Sequence, residues 1–205
     1  MIAAAAVSGS PALWFASRGS GLALLVLLTV VVVLGAATRT GSAPRRVPGF
    51  VWAELHRTLA LFSVAFLVLH VATAILDPYV SIGWAAAVVP FTSGYRAAAI
   101  GLGTLAVDLG GAVLLTSMIR RRLSYRSWRA VHWLAYLCWP AAFVHSLTAG
   151  NDLRVWWVAL IELACAVAVA TAILARLIHA GTHRPAVGPE PEPASHLAAR
   201  ERTWL

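Results

Sequence analysis

Long apolar runs alternate along the chain with short clusters of arginine, proline and glycine. A helix that crosses a bilayer needs about 20 apolar residues. Five stretches reach that length: 13–38, 52–76, 97–119, 128–149 and 153–178. The second stops at Asp77-Pro78, a pair that ends helices, and the fourth stops at Gly150-Asn151. The pattern predicts an all-α fold, an integral membrane bundle of about five transmembrane helices over 13–178. Residues 1–12 form an N-terminal segment without the basic start of a secretory signal. Residues 179–205 form a Pro-rich polar tail, expected to be disordered. Between the second and third helices the segment SIGWAAAVV is apolar but too short to span. It is expected to lie in the interface or to fold back over the outer mouth, with Tyr79, Trp84 and Tyr95 at headgroup level.

Composition agrees with the membrane class. Of 205 residues, 60% are hydrophobic and 12% charged, which excludes a soluble domain of this size. The net charge of +8 would suggest nucleic acid only if it lay on one exposed face. Here the charge sits between apolar runs, so nucleic acid is not an expected partner and the lipid bilayer is. All sixteen basic residues are arginine, and their distribution orients the bundle. One side holds Arg39, Arg45, Arg46, Arg57, Arg120, Arg121, Arg122, Arg126, Arg129, Arg176, Arg184, Arg200 and Arg202. The other holds Arg18, Arg96 and Arg154. By the positive-inside rule the N-terminus lies outside and the C-terminus in the cytoplasm, which requires an odd number of helices. Cys138 and Cys165 both lie in apolar runs and read as buried hydrophobes, with no disulfide or cysteine metal site implied.

Histidines break this apolar pattern. HRTLALFSVAFLVLH places His56 and His70 at the two ends of one run, and HWLAYLCWPAAFVH places His132 and His145 at the ends of another. The offsets of fourteen and thirteen residues correspond to roughly 21 and 20 Å along a helix. Both helices run from inside to outside, so His56 and His132 share an inner depth and His70 and His145 an outer one. Ionisable groups at such depths are costly and mark function. Neutral imidazole is a good iron ligand, and two imidazoles from facing helices can clamp a haem in a bundle core. Two layers then imply two stacked haems, and filled axial positions imply electron transfer rather than oxygen binding. The alternatives are helix-packing histidines and a proton or metal-ion pathway. Geometry leaves one mismatch: an offset of fourteen falls about 40° short of the same helix face, whereas thirteen falls about 140° short. Pro140 lies between His132 and His145 and is expected to re-phase that helix. His179 and His183 read as a solvated helix end, and His196 carries no signal.

These two histidine pairs, on helices separated by one other, resemble the ferric reductase-like transmembrane domain that is shared with NADPH oxidases. The run RRRLSYRSWRAVHWLAYLCWPAAFVHSLTAG resembles the family's loop and second haem-binding helix. The resemblance covers roughly 13–178 and implies two b-type haems that carry electrons across the membrane. Many members continue into a cytoplasmic flavin and nicotinamide domain. This sequence has no G-x-G-x-x-G on a strand-turn-helix pattern, and the glycines of GLGTLAVDLGG lie in an apolar helix, where they permit close helix contact. The chain therefore reads as an oxidoreductase component that needs a separate cytoplasmic flavin reductase or a membrane quinol as donor. Its acceptor would be a ferric chelate, oxygen or a periplasmic protein. The architecture also resembles the haem subunit of the bacterial periplasmic methionine sulfoxide reductase system, which ordinarily has one more helix. The expected location is the bacterial cytoplasmic membrane.

Arginine pairs with carboxylates through its planar fork, so Arg57, Arg126 and Arg129 near the inner pair and Arg18 and Arg96 near the outer pair are candidates for haem propionates. The strongest of these are Arg18, Arg57 and Arg129. Arg120 to Arg122 read as membrane anchors. Asp108 is either a protonated packing residue or the acceptor of a histidine Nδ1 proton, and Glu162 is a weaker candidate of the same kind. Trp133, Trp139 and Phe143 either line the space between the haems or simply pack.

Overall fold

A computed structural model describes residues 11–40, 47–78, 82–150 and 155–182. The N-terminal segment before Pro11, Arg45, Arg46, Tyr79, Arg154, His183 and the tail beyond it lie outside the described residues. The described chain is helical: α1 is Pro11–Thr40, α2 Gly49–Leu76, α3 Ala97–Met118, α4 Tyr125–His132, α5 Ala135–Ala149 and α6 Trp156–Thr182. Among the described residues, α1, α2, α3 and α6 are each long and apolar enough to cross a membrane. The protein is an integral membrane protein, and most of its large apolar side chains face outward, among them Phe62, Val68, Leu163 and Leu177. Lipid is the solvent for that surface, so the small buried core holds the helices together by close packing rather than by exclusion of water.

That core lies where α1, α5 and α6 meet. Leu25, Trp139, Cys165 and Val169 are buried together, with Leu28, Phe143 and Ile161 packed around them. Trp139 Nε1 donates to Thr29 Oγ1 at 2.9 Å and its ring stacks on Phe143. This satisfies the one polar atom of a buried indole. Helix α1 packs along α2 on one side and α6 on the other, while α3 packs along α5. The glycines of α3 let α5 come close, as expected: Gly110 faces the Cys138 thiol, which itself reaches the Ala106 carbonyl at 3.3 Å.

The fourth apolar run is not one helix. It divides into α4 and α5 around Trp133 and Leu134. Ser124 caps α4 by accepting from the Ser127 amide. Between the two helices the backbone tightens: the amides of Leu134, Tyr136 and Leu137 donate to the carbonyls of Val131, Trp133 and Leu134, each three residues back. Pro140 lies inside α5, one turn further on. Its ring excludes a helical bond to the Tyr136 carbonyl, so the strain falls on the turn before it. The expected re-phasing is present, but the tight turn upstream of the proline performs it. A 3₁₀ turn advances about 120° per residue instead of 100°, so four such residues recover roughly 80° of the 140° mismatch.

The segment between α2 and α3 folds back onto the bundle over its described residues 82–96. A short 3₁₀ turn, Trp84–Ala87, is tied to α3 by Thr104 Oγ1, which donates to the Ala86 carbonyl. Trp84 itself is exposed.

Candidate functional site

Among the described residues, a large cavity of about 1670 Å³ lies between the α1–α2 pair and the α3–α5 pair. This exceeds the roughly 300–1,000 Å³ of an ordinary small-molecule site. His56, His70, His132 and His145 all line it, and the outer loop adds Ile82, Ala86, Ala87 and Tyr95 to its wall.

The histidines meet in two layers. The rings of His56 and His132 have centroids 6.4 Å apart and planes at 58°. Those of His70 and His145 are 6.2 Å apart and at 79°. An imidazole nitrogen lies about 2.0–2.1 Å from a bound first-row metal ion and roughly 1.1 Å from its own ring centroid, so opposed imidazoles on one ion have centroids about 6.3 Å apart. Both layers match that separation.

Three of the rings are fixed by main-chain carbonyls. His56 Nδ1 donates to the Val31 carbonyl at 3.1 Å, His70 Nδ1 to that of Ser17 at 2.9 Å, and His145 Nδ1 to that of Ala99 at 2.7 Å. A carbonyl oxygen only accepts, so Nδ1 carries the proton and Nε2 keeps its lone pair. Metal-binding histidines use this arrangement to set tautomer and ring orientation. The fourth ring, His132, stacks on Trp128 at 4.9 Å, and the Arg120 guanidinium covers the far part of that indole at 4.5 Å. Trp128 Nε1 is buried without a hydrogen-bond partner among the described residues, and Trp128 also lines the cavity.

Glycines make room for these rings, a feature the sequence reading missed. A Cβ at Gly103 would stand 2.7 Å from the His145 ring, at Gly21 2.9 Å from that of His70, and at Gly35 3.3 Å from that of His56. Real Cβ atoms do not approach to 3.0 Å. The signal was legible: Gly21 and Gly35 are fourteen residues apart, the offset of His56 and His70 on the antiparallel neighbour.

The arginines divide differently from expectation. Arg18, Arg57 and Arg129 line the cavity, and so do Arg120, Arg121 and Arg176. Arg57 also lies 3.9 Å from Glu54, with both side chains largely exposed. Arg96 instead donates to the carbonyls of Thr148 and Ala149, closing the end of α5, and does not face the cavity. Arg126 is exposed and outside the lining as well. Arg176, counted from sequence only toward the sidedness of the bundle, bonds the Tyr136 hydroxyl and covers the Trp133 ring at 4.5 Å, bracing α6 against the break between α4 and α5. Asp108 is exposed on the outer side of α3, and the Nδ1 atoms of His56, His70 and His145 meet carbonyls rather than this carboxylate. Glu162, the weaker candidate, is buried and lines the cavity. Trp133 and Trp139 line the cavity too, whereas Phe143 packs behind Trp139.

No curated protein and no solved structure matches the chain. The family model for the ferric reductase-like transmembrane component matches residues 20–148, a span that opens just before Gly21 and closes just after His145. More than half of the chain is covered by that match, and the protein belongs to the ferric reductase-like transmembrane family.

Proposed function

We propose that this protein is a transmembrane electron-transfer component that holds two b-type haems, one in each histidine layer. The observation that carries the reading is the pair of opposed imidazoles at 6.4 and 6.2 Å in one apolar cavity. His56 and His132 would hold the inner haem iron, and His70 and His145 the outer one. A haem held by two histidines would supply one-electron transfer. The chain's own contribution is placement. The backbone carbonyls of α1 and α3 fix three rings, the glycines admit them, and apolar walls keep water from the layers. Arg57, Arg129 and the Trp128 indole would meet propionate carboxylates at the inner end, and Arg18 at the outer end.

The arginine distribution supports an outside N-terminus and a cytoplasmic C-terminus, in a bacterial cytoplasmic membrane. Electrons would then enter on the cytoplasmic side from a separate flavin reductase or a membrane quinol. They would leave on the outer side to a ferric chelate, oxygen or a periplasmic protein. A metal-ion pathway has less support: the described residues contain no group of three or more His, Cys, Asp or Glu placed to hold an ion.

Proteoliposomes test the function directly. A membrane-impermeant oxidant is trapped on one side and a reductant is supplied on the other. The haem-loaded protein is expected to reduce the trapped oxidant, and His70→Ala is expected to abolish the transfer. Transfer at the rate of empty vesicles would overturn the reading.

A further inference from the structure

Two buried carboxylates line the cavity, Asp77 at the end of α2 and Glu162, and Glu162 is the more deeply buried. It is 3% exposed and stands in the otherwise apolar first half of α6. Ser146 Oγ donates to its Oε1 at 2.6 Å, while Oε2 is buried with no hydrogen-bond partner among the described residues. Ser146 directly follows His145, so Glu162 is connected through one side chain to the outer layer. A carboxylate in a low-dielectric membrane interior needs a reason, since ionisable groups there are costly. The neighbouring charges are few. From α5 the titratable groups are His145 at this end, Cys138 midway and Tyr136 at the other; from α1 the charged side chain in the cavity wall is Arg18, and from the end of α2 it is Asp77; on α6 itself Cys165 lies one turn on and Arg176 at the far end.

We propose that Glu162 is a redox-linked proton site serving the outer layer. The inference rests on the dihaem reading. A haem held by His70 and His145 would, on reduction, add one negative charge to the site in a medium that screens it poorly. The Glu162 carboxylate then takes one proton from water on the outer side, at Oε2, with Oε1 held by Ser146. Electron and proton together leave the net charge of the site unchanged. When the electron passes to the acceptor, the proton returns to water. Ala149, Gly150 and Val155, at the end of α5 and the start of α6, line the same cavity as Glu162.

The test is a potentiometric titration of the haem-loaded, full-length protein at a series of pH values, following each haem optically. One of the two midpoint potentials is expected to fall as pH rises, by up to about 59 mV per pH unit, the tenfold equivalent for a one-electron couple. In Glu162→Gln that potential should become independent of pH while the other is unmoved. Two pH-independent potentials in the wild type, or a slope retained in Glu162→Gln, would overturn the proposal. Should Glu162→Gln fail to fold, redox-difference infrared spectra of the wild type and Ser146→Ala decide it. A protonated-carboxyl band that appears on reduction and moves in Ser146→Ala supports the proposal; no such band, or one that Ser146→Ala leaves in place, overturns it. Absence of haem overturns the dihaem reading and this inference with it, whereas haem with pH-independent potentials overturns this inference alone.

Discussion

His56, His70 and His145 each give their Nδ1 proton to a main-chain carbonyl, not to an acid. This choice suits a membrane interior, where a second-shell carboxylate would add another buried charge. It also makes the site depend on how closely the helices approach, and so on glycine. The Cβ distances rank the consequences. Gly103→Ala, at 2.7 Å from His145, should cost the outer haem; Gly35→Ala, at 3.3 Å from His56, should leave the inner haem bound with an altered spectrum. Haem content per purified chain checks the order, and equal loss in both variants would contradict it. The four histidines were legible in the sequence because an imidazole at each end of an apolar run stands out. Their carbonyl partners were not, because every residue carries a carbonyl and only the fold selects one. Asp108 misled for the same reason: as an intramembrane acid it was conspicuous, but α3 turns it outward.

At the scale of elements, the two histidine helices solve one problem in two ways. α2 carries its pair fourteen residues apart on a continuous helix, and the offset alone returns nearly to the same face. The second pair is thirteen apart, and the chain recovers part of the phase in the tight turn between α4 and α5. The sequence announced a re-phasing through Pro140, but a proline marks the turn it disrupts only to within a few residues. Local bonding along 131–137 decided the location. The wall behind that helix is held by Trp139 and Thr29. Thr29→Val removes an interhelical hydrogen bond, and such bonds in membrane bundles contribute roughly 0.6 kcal/mol on average and up to about 1.7. A loss of stability in that range, read from thermal or denaturant unfolding in detergent, is expected, with both haems retained at ambient temperature. Arg176→Leu should loosen α6 from the same break and favour loss of the inner haem over the outer, which the same haem assay reads.

For the whole molecule, four of the five apolar runs appear among the described residues as single helices long and apolar enough to cross a membrane, while the fourth run divides into α4 and α5. What no run length could foretell was the space between the helices. α1 holds α2 on one side while α3 and α5 pair on the other, and the cavity lies in the gap. The charge distribution predicts the sidedness of the bundle: a reporter fused at the C-terminus should be active only if it requires the cytoplasm, and periplasmic activity there would invert the proposed direction of electron flow. The central claim is that the two histidine layers each hold a haem. It is tested most directly by a reduced-minus-oxidised absorbance spectrum of the purified protein, with haem quantified per chain. The account predicts b-type bands and two haems per chain, falling to one in His70→Ala. A chain that folds and remains without haem, when expressed with an adequate haem supply, would contradict it.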